Sequence, residues 1–177
     1  AGALVLTAAT FLAQAQPLAI QNAALEAKFD AASGRFTLTA KPSGRMFLKD
    51  GQLSATGGTA RITNTANKAF GQGQAIEVSY PDGHHDTISL FPAQPFALFK
   101  SSLHNRGADA TVTRKVQPLS ATVDLGKSPA ELKTLGTGGL LAPDKNPGSY
   151  VWLAVAEPQS RNGVVCGWLT NDRGSGV

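Results

Sequence analysis

Three stretches of the sequence hold residue types that could do chemistry together. His84-His85-Asp86 sets two imidazoles beside a carboxylate, as in a metal or acid-base cluster, and Ser101, Ser102, His104 and Asp109 contain the side chains of a hydrolase triad. Gly136-Thr137-Gly138-Gly139-Leu140 has the glycine content of a loop whose amides close on a phosphate. Their spacing argues against all three. Neighbours along a strand point to opposite faces, so His84, His85 and Asp86 read as a solvated hairpin tip. No Gly-x-Ser-x-Gly elbow surrounds either serine. No Lys-Ser or Lys-Thr follows the glycines, so they read as a strand-connecting loop.

Glycoside hydrolysis needs two carboxylates on opposite sides of one sugar. Most of the acidic residues stand beside turns, among them Asp30, Asp50, Asp82, Asp109 and Asp144, and no spacing nominates a pair. The single Cys166 excludes an internal disulfide and, with three histidines, offers no zinc-ligand set. No catalytic residue, metal site or cofactor is expected within these residues.

Trp152 and Trp168 remain, both inside strand-like stretches of the C-terminal third. Trp152 alternates with Tyr150 and Ala154, and Val151, Leu153 and Val155 form the opposite face, so a structural role is favoured over stacking on a sugar. Trp168 precedes Thr170-Asn171-Asp172-Arg173, a polar cluster suited to binding hydroxyls or docking a neighbouring domain. Trp168, Asn171, Asp172, Arg173 and Trp152 are therefore the candidates for carbohydrate or domain contact, with Cys166 read as a small buried neighbour.

The elements that must position them are strands. Leu25, Ala27 and Phe29 alternate, Ala31-Ala32-Ser33-Gly34 turns the chain, and Phe36, Leu38 and Ala40 return as a hairpin. Met46–Ser54 and Thr59–Thr65 make further strands around the turn signals Lys49-Asp50-Gly51 and Gly57-Gly58. Ala75–Tyr80 and Asp86–Phe91 flank Pro81-Asp82-Gly83, a second hairpin. Pro95–His104 and Ala110–Pro118 are expected to join through Asn105-Arg106-Gly107, and Leu119–Leu125 alternates again. Tyr150–Ala156 and Val164–Thr170 flank a loop ending in the turn pair Asn162-Gly163. Pro129–Leu135, with Ser128 as cap, holds the one helical signal, a turn or two. Gly136–Ser149 is the longest stretch without strand periodicity.

About ten to twelve strands bury their apolar faces most simply in two packed antiparallel sheets. The fold expected is all-β, a large antiparallel β-sandwich of the supersandwich kind. Composition agrees: of 177 residues 42% are hydrophobic and 16% charged, with 19 Gly and 10 Pro supplying turns. The net charge of +4 comes from scattered residues without a basic cluster, so nucleic acid is not an expected partner.

Ala1–Ala15 carries no charge, is apolar through Leu12 and ends in Ala13-Gln14-Ala15, as a secretory signal peptide does. Its apolar run is shorter than the about twenty residues of a bilayer span, so no membrane attachment is expected after cleavage. The segment lacks an initiator Met and a basic start, and Arg173–Val177 stops on a turn signal. The expectation is a periplasmic or secreted fragment of a longer chain: 1–15 an incomplete signal peptide, 16–177 a β-sandwich domain truncated at its C-terminal edge.

Phe91-Pro92-Ala93-Gln94-Pro95-Phe96-Ala97-Leu98-Phe99, Leu103-His104-Asn105, Leu135-Gly136-Thr137-Gly138-Gly139-Leu140 and Gly163-Val164-Val165-Cys166-Gly167-Trp168-Leu169-Thr170 carry a resemblance that spans most of Ala19–Val177. In strand order and turn phrases they resemble the N-terminal region of bacterial α-galactosidase-like glycoside hydrolases of the family-36 type. The resemblance implies a noncatalytic sandwich preceding a (β/α)-barrel that holds the aspartate nucleophile and the acid/base. The implied partner is that catalytic domain of the same chain, lying beyond Val177, with carbohydrate as substrate. Two other readings of a secreted β-sandwich are a stand-alone carbohydrate-binding or adhesion module and a purely structural extracellular domain.

Overall fold

The computed structural model describes residues 16–113, 115–145 and 148–170. Ala1–Ala15 and the candidates Asn171, Asp172 and Arg173 lie outside the described residues. The architecture is all-β and sandwich-like, in three antiparallel sheets. The first contains β1 (Leu18–Gln21), β2 (Leu25–Asp30), β3 (Arg35–Ala40), β4 (Arg45–Leu53) and β9 (Leu119–Val123), in the order β1-β2-β3-β4-β9. The second runs β5 (Thr59–Asn67), β6 (Gly71–Ser79), β7 (His85–Leu90) and β8 (Ala97–Ser102), each beside the next. The third orders β10 (Lys133–Gly136), β11 (Gly139–Leu141), β12 (Trp152–Glu157) and β13 (Asn162–Gly167) as β11-β10-β12-β13.

Alternation puts Ile20, Ala27, Phe29, Phe36, Leu38 and Leu53 on the inner face of the first sheet, and Ile76, Val78, Ile88 and Leu90 on that of the second. These faces meet in one core, where the rings of Phe36 and Phe99 lie 5.2 Å apart. A smaller aromatic group, Phe70 against Phe91 and Phe96, closes one end of the second sheet. Asn22 ties the sheets: Nδ2 donates to the carbonyls of Phe91 and Gln94 at 2.9 and 2.8 Å, while Oδ1 accepts from the amides of Ala24 and Leu25.

The two hairpins stand where turn chemistry puts them. The Asp30 carboxylate accepts from the Ala32 amide and the Ser33 hydroxyl, and Gly34 takes the left-handed conformation that ends the turn. The Ser33 hydroxyl, first among these donors, holds the Asp30 carboxyl below its ordinary range. At Pro81-Asp82-Gly83 the Tyr80 amide reaches the His84 carbonyl at 3.0 Å. Ser128 and Glu131 bracket a single 3-10 turn, Pro129–Glu131, in which the carboxylate accepts from the Ser128 amide and hydroxyl.

Four expectations need correction. Two packed sheets account for β1–β9 only; β10–β13 pair among themselves as a separate sheet, because an apolar pattern does not specify which sheet a strand joins. Ala110–Pro118 is not a strand in its described residues: Val112 is 84% exposed, so the Thr-Val-Thr alternation has no face to bury. Lys49-Asp50-Gly51 is a bulge inside a continuous β4, with Asp50 at φ +53°. Asn162-Gly163 opens β13 instead of turning; the turn lies just before it and ends on Arg161 at φ +58°.

Candidate functional site

Of the residues singled out for contact, the third sheet holds Trp152 in β12, and Trp168 follows the end of β13. Glu157 anchors its β12–β13 turn from a buried position, accepting from the amides of Gln159 and Ser160 at 2.9 and 2.7 Å. Donation from Ser160 is the main reason its carboxyl is held below the ordinary value. The glycine loop is the β10–β11 hairpin tip, pairing Gly136 with Gly139, which bears out the strand-connecting reading.

Register divides the sheet into two unlike faces. Leu141, Thr134, Val155 and Val164 align across one face, next to Leu153 and Cys166. Thr134 is buried there and Leu153, Val155 and Val164 are half-buried. Leu140, Leu135, Ala154 and Val165 align across the other face, with Trp152 beside Gly167 in the next row. Here Leu140 is 62% exposed, Val165 71% and Trp152 41%. Tyr150 and Leu169, just beyond the paired strands, are exposed too.

The expected face alternation of Trp152 holds, and the residue is exposed, on the face opposite that of Thr134 and Val155. Gly167 opposite it has no side chain to cover the indole, and a Cβ there would lie 3.0 Å from that of Trp152. Trp168 continues the β12 ladder through its amide, which donates to the Val151 carbonyl at 3.0 Å, and its side chain is 39% exposed. Cys166 is exposed rather than buried, with its thiol against the Leu153 carbonyl at 3.5 Å. Partial desolvation pushes that thiol's pKa up, so it is a poor nucleophile.

The remaining chemical candidates do not assemble. In register, Ser102 lies opposite His85 and Ser101 opposite Asp86, on opposite faces of β8. His85 Nδ1 meets Ser79 Oγ at 3.1 Å, whereas His84 pairs with Asp82 at 2.9 Å. His104 packs against Gly83, and the Asp109 carbonyl accepts from Asn105. An open-strand Ser–His pair without a carboxylate to orient the imidazole is not a triad. Among the described residues no three His, Cys, Asp or Glu side chains are grouped to hold a metal.

The reading of His84-His85-Asp86 as solvated is wrong at its third residue. Asp86 is 1% exposed and faces the core, where Oδ2 accepts from the Ser54 amide at 2.9 Å, the Ser54 hydroxyl at 2.6 Å and the Tyr80 hydroxyl at 2.9 Å. This fastens the β4–β5 crossover to the second sheet. The signal was in the sequence: Asp86 has the parity of Ile88 and Leu90, the inward residues of β7. Burial, then Asp86 itself, keeps the Tyr80 phenol from ionising well beyond its ordinary range.

Among the described residues the site is thus an open, mostly apolar sheet face with Lys133 at the end of the aligned rows. It can bury area against a complementary surface, and it has few groups to satisfy the hydroxyls of a sugar. Comparison of the chain with protein-family models, with curated proteins and with solved structures returns no match.

Proposed function

We propose that this chain is the noncatalytic β-sandwich of a secreted carbohydrate-active enzyme, exported by Ala1–Ala15, whose third sheet docks the catalytic domain. The resemblance to the α-galactosidase-like glycoside hydrolases suggests an α-galactoside as the substrate of that domain. One observation carries the docking reading: the row Leu140, Leu135, Ala154 and Val165, flanked by Trp152, lies open on one face. Apolar rows of this kind are interface cores, and indole is among the side chains most enriched there.

The test begins by continuing the reading frame past Val177. Several hundred residues of alternating strand and helix are expected, and the longer protein should hydrolyse an aryl α-galactoside that the 177-residue chain leaves untouched. In the longer protein Leu135→Glu should lower activity or melting temperature by interrupting the row. An early stop codon, or turnover by the 177-residue chain itself, overturns the proposal. Oligosaccharide binding by the chain alone, lost in Trp152→Ala, would point to a stand-alone carbohydrate-binding module.

A further inference from the structure

Among the described residues β13 is the outer strand of its sheet, and its outer edge has the geometry of a self-pairing strand. Its other edge pairs with β12 without a register shift from Asn162 to Gly167. The Trp168 amide donates to the Val151 carbonyl, making 168 and 151 a hydrogen-bonded pair. Such pairs alternate along an antiparallel ladder, so the N–H and C=O groups of Asn162, Val164 and Cys166 point at β12, and those of Gly163, Val165 and Gly167 point away from it. The close approach of Gly163 to Ala156 and of Gly167 to Trp152 is that of the intervening non-hydrogen-bonded pairs.

Four of the five other outer strands carry guards against strand addition, the uncharged five-residue β9 being the exception. Arg61 lies in β5 and Lys100 in β8, the outer strands of the second sheet; β1 and β11 have four and three residues. β13 has six residues, Asn-Gly-Val-Val-Cys-Gly, with no charge and no proline, and all but Val164 are exposed.

We infer that β13 pairs antiparallel with β13 of a second copy about a two-fold axis through Val165. A two-fold relating antiparallel neighbours stands perpendicular to the sheet and matches residues of equal parity. Centred on Val165, it sets Gly163 against Gly167 of the other copy and Val165 against its own mate. All three outward-pointing residues then gain partners, which makes six backbone hydrogen bonds. The flanking glycines add no bulk, so the two exposed valines touch across the seam. On the other face Val164 stands opposite Cys166 of the second copy in a non-hydrogen-bonded pair, twice. The exposed rows of the two copies join into one stripe across eight strands, about 35 Å long at the strand spacing of a sheet. This inference is independent of the catalytic-domain proposal.

Sedimentation of the chain at about 100 μM should give twice the monomer mass. Val165→Lys sets two like charges face to face on the axis and should weaken the dimer about tenfold or more, with an unchanged far-ultraviolet circular dichroism spectrum. Val164→Cys sets a new thiol opposite Cys166 of the other copy. Mild oxidation with oxidised glutathione, which takes up the two electrons and two protons of each thiol pair, should then lock a dimer visible on a non-reducing gel. Unsubstituted chain treated alike should lock far less, because its Cys166 faces Val164. A monomeric chain, a dimer indifferent to Val165→Lys, or a dimer that Val164→Cys fails to lock would each overturn the inference.

Discussion

The Tyr80 hydroxyl donates to Asp86 Oδ2 across the β6–β7 hairpin at 2.9 Å, and the same oxygen takes both donors of Ser54. One buried carboxylate oxygen thus satisfies three donors from two segments. Asp86→Ala would strand all three and should cost about 2–4 kcal/mol in urea unfolding. Tyr80→Phe removes one donor and should cost about 1 kcal/mol, with less than additive loss in the double variant. An Asp86→Ala protein as stable as the parent would show that the network contributes nothing.

Asn22 spends both ends of its amide on joining the sheets. Asn22→Ala should lower stability by about 1–3 kcal/mol, and Asn22→Asp by at least as much, since a carboxylate cannot donate to the carbonyls of Phe91 and Gln94. Chemical denaturation of the two variants decides this; an Asn22→Asp chain matching the parent would remove the donor half of the argument.

Gly51 sits over the Phe36 ring, where an added Cβ would come within 2.5 Å of the ring carbons. Gly51→Ala should therefore displace a fully buried phenylalanine and cost about 1–3 kcal/mol, whereas Gly34→Asn, at an open left-handed turn, should cost under about 1 kcal/mol. Equal melting temperatures for the two variants would contradict the packing described for β3 and β4.

Stability should fall on both sides of neutrality. Asp30, Asp124, Glu131 and Glu157 are held below their ordinary values, chiefly by the Ser33 hydroxyl, the Lys49 side chain, the Ser128 hydroxyl and the Ser160 hydroxyl respectively. A depressed carboxyl contributes stability that is complete above its unfolded value, near pH 4, and is lost as pH falls through the folded one. Tyr80 has the opposite shift, so its contribution is complete below its unfolded value, near pH 10, and is lost as pH rises toward the folded one. Melting temperature should be level from about pH 5 to 9 and decline outside that window. A curve flat down to pH 3 would mean that the four carboxyls have no net effect, about pH 3 being below the unfolded carboxyl range.

Where local chemistry decides the backbone, the residues were legible. Asp30 to Gly34 and Pro81 to Gly83 fix hairpins by side-chain acceptors and left-handed glycines, and Ser128, Pro129 and Glu131 fix a short turn. Partnership was not legible. Cys166 reads as a buried neighbour of Trp168 because its strand is so apolar, yet Cys166 and Val165 are exposed, since period two says which residues share a face and not what meets it. Asp86 misled for the converse reason: a carboxylate close to a turn is ordinarily solvated, and its burial here is stabilised by the Tyr80 hydroxyl and by Ser54, thirty-two residues away.

The route of the chain through the sandwich sets the order of its assembly. β4 ends at Leu53, the whole second sheet follows, and β9 then returns to pair with β4, so that Lys49 finds Asp124 across 75 residues. On a ribosome the hairpin of β2 and β3 and its extension to β4 can form early, but the outer edge of β4 stays open until β9 emerges. Nascent chains of this protein therefore spend the synthesis of β5 to β8 with an unfinished sheet edge, the interval in which holding by a chaperone would matter most. Closing so long a loop is also a kinetic step of its own, which places this sandwich among slow folders for its size.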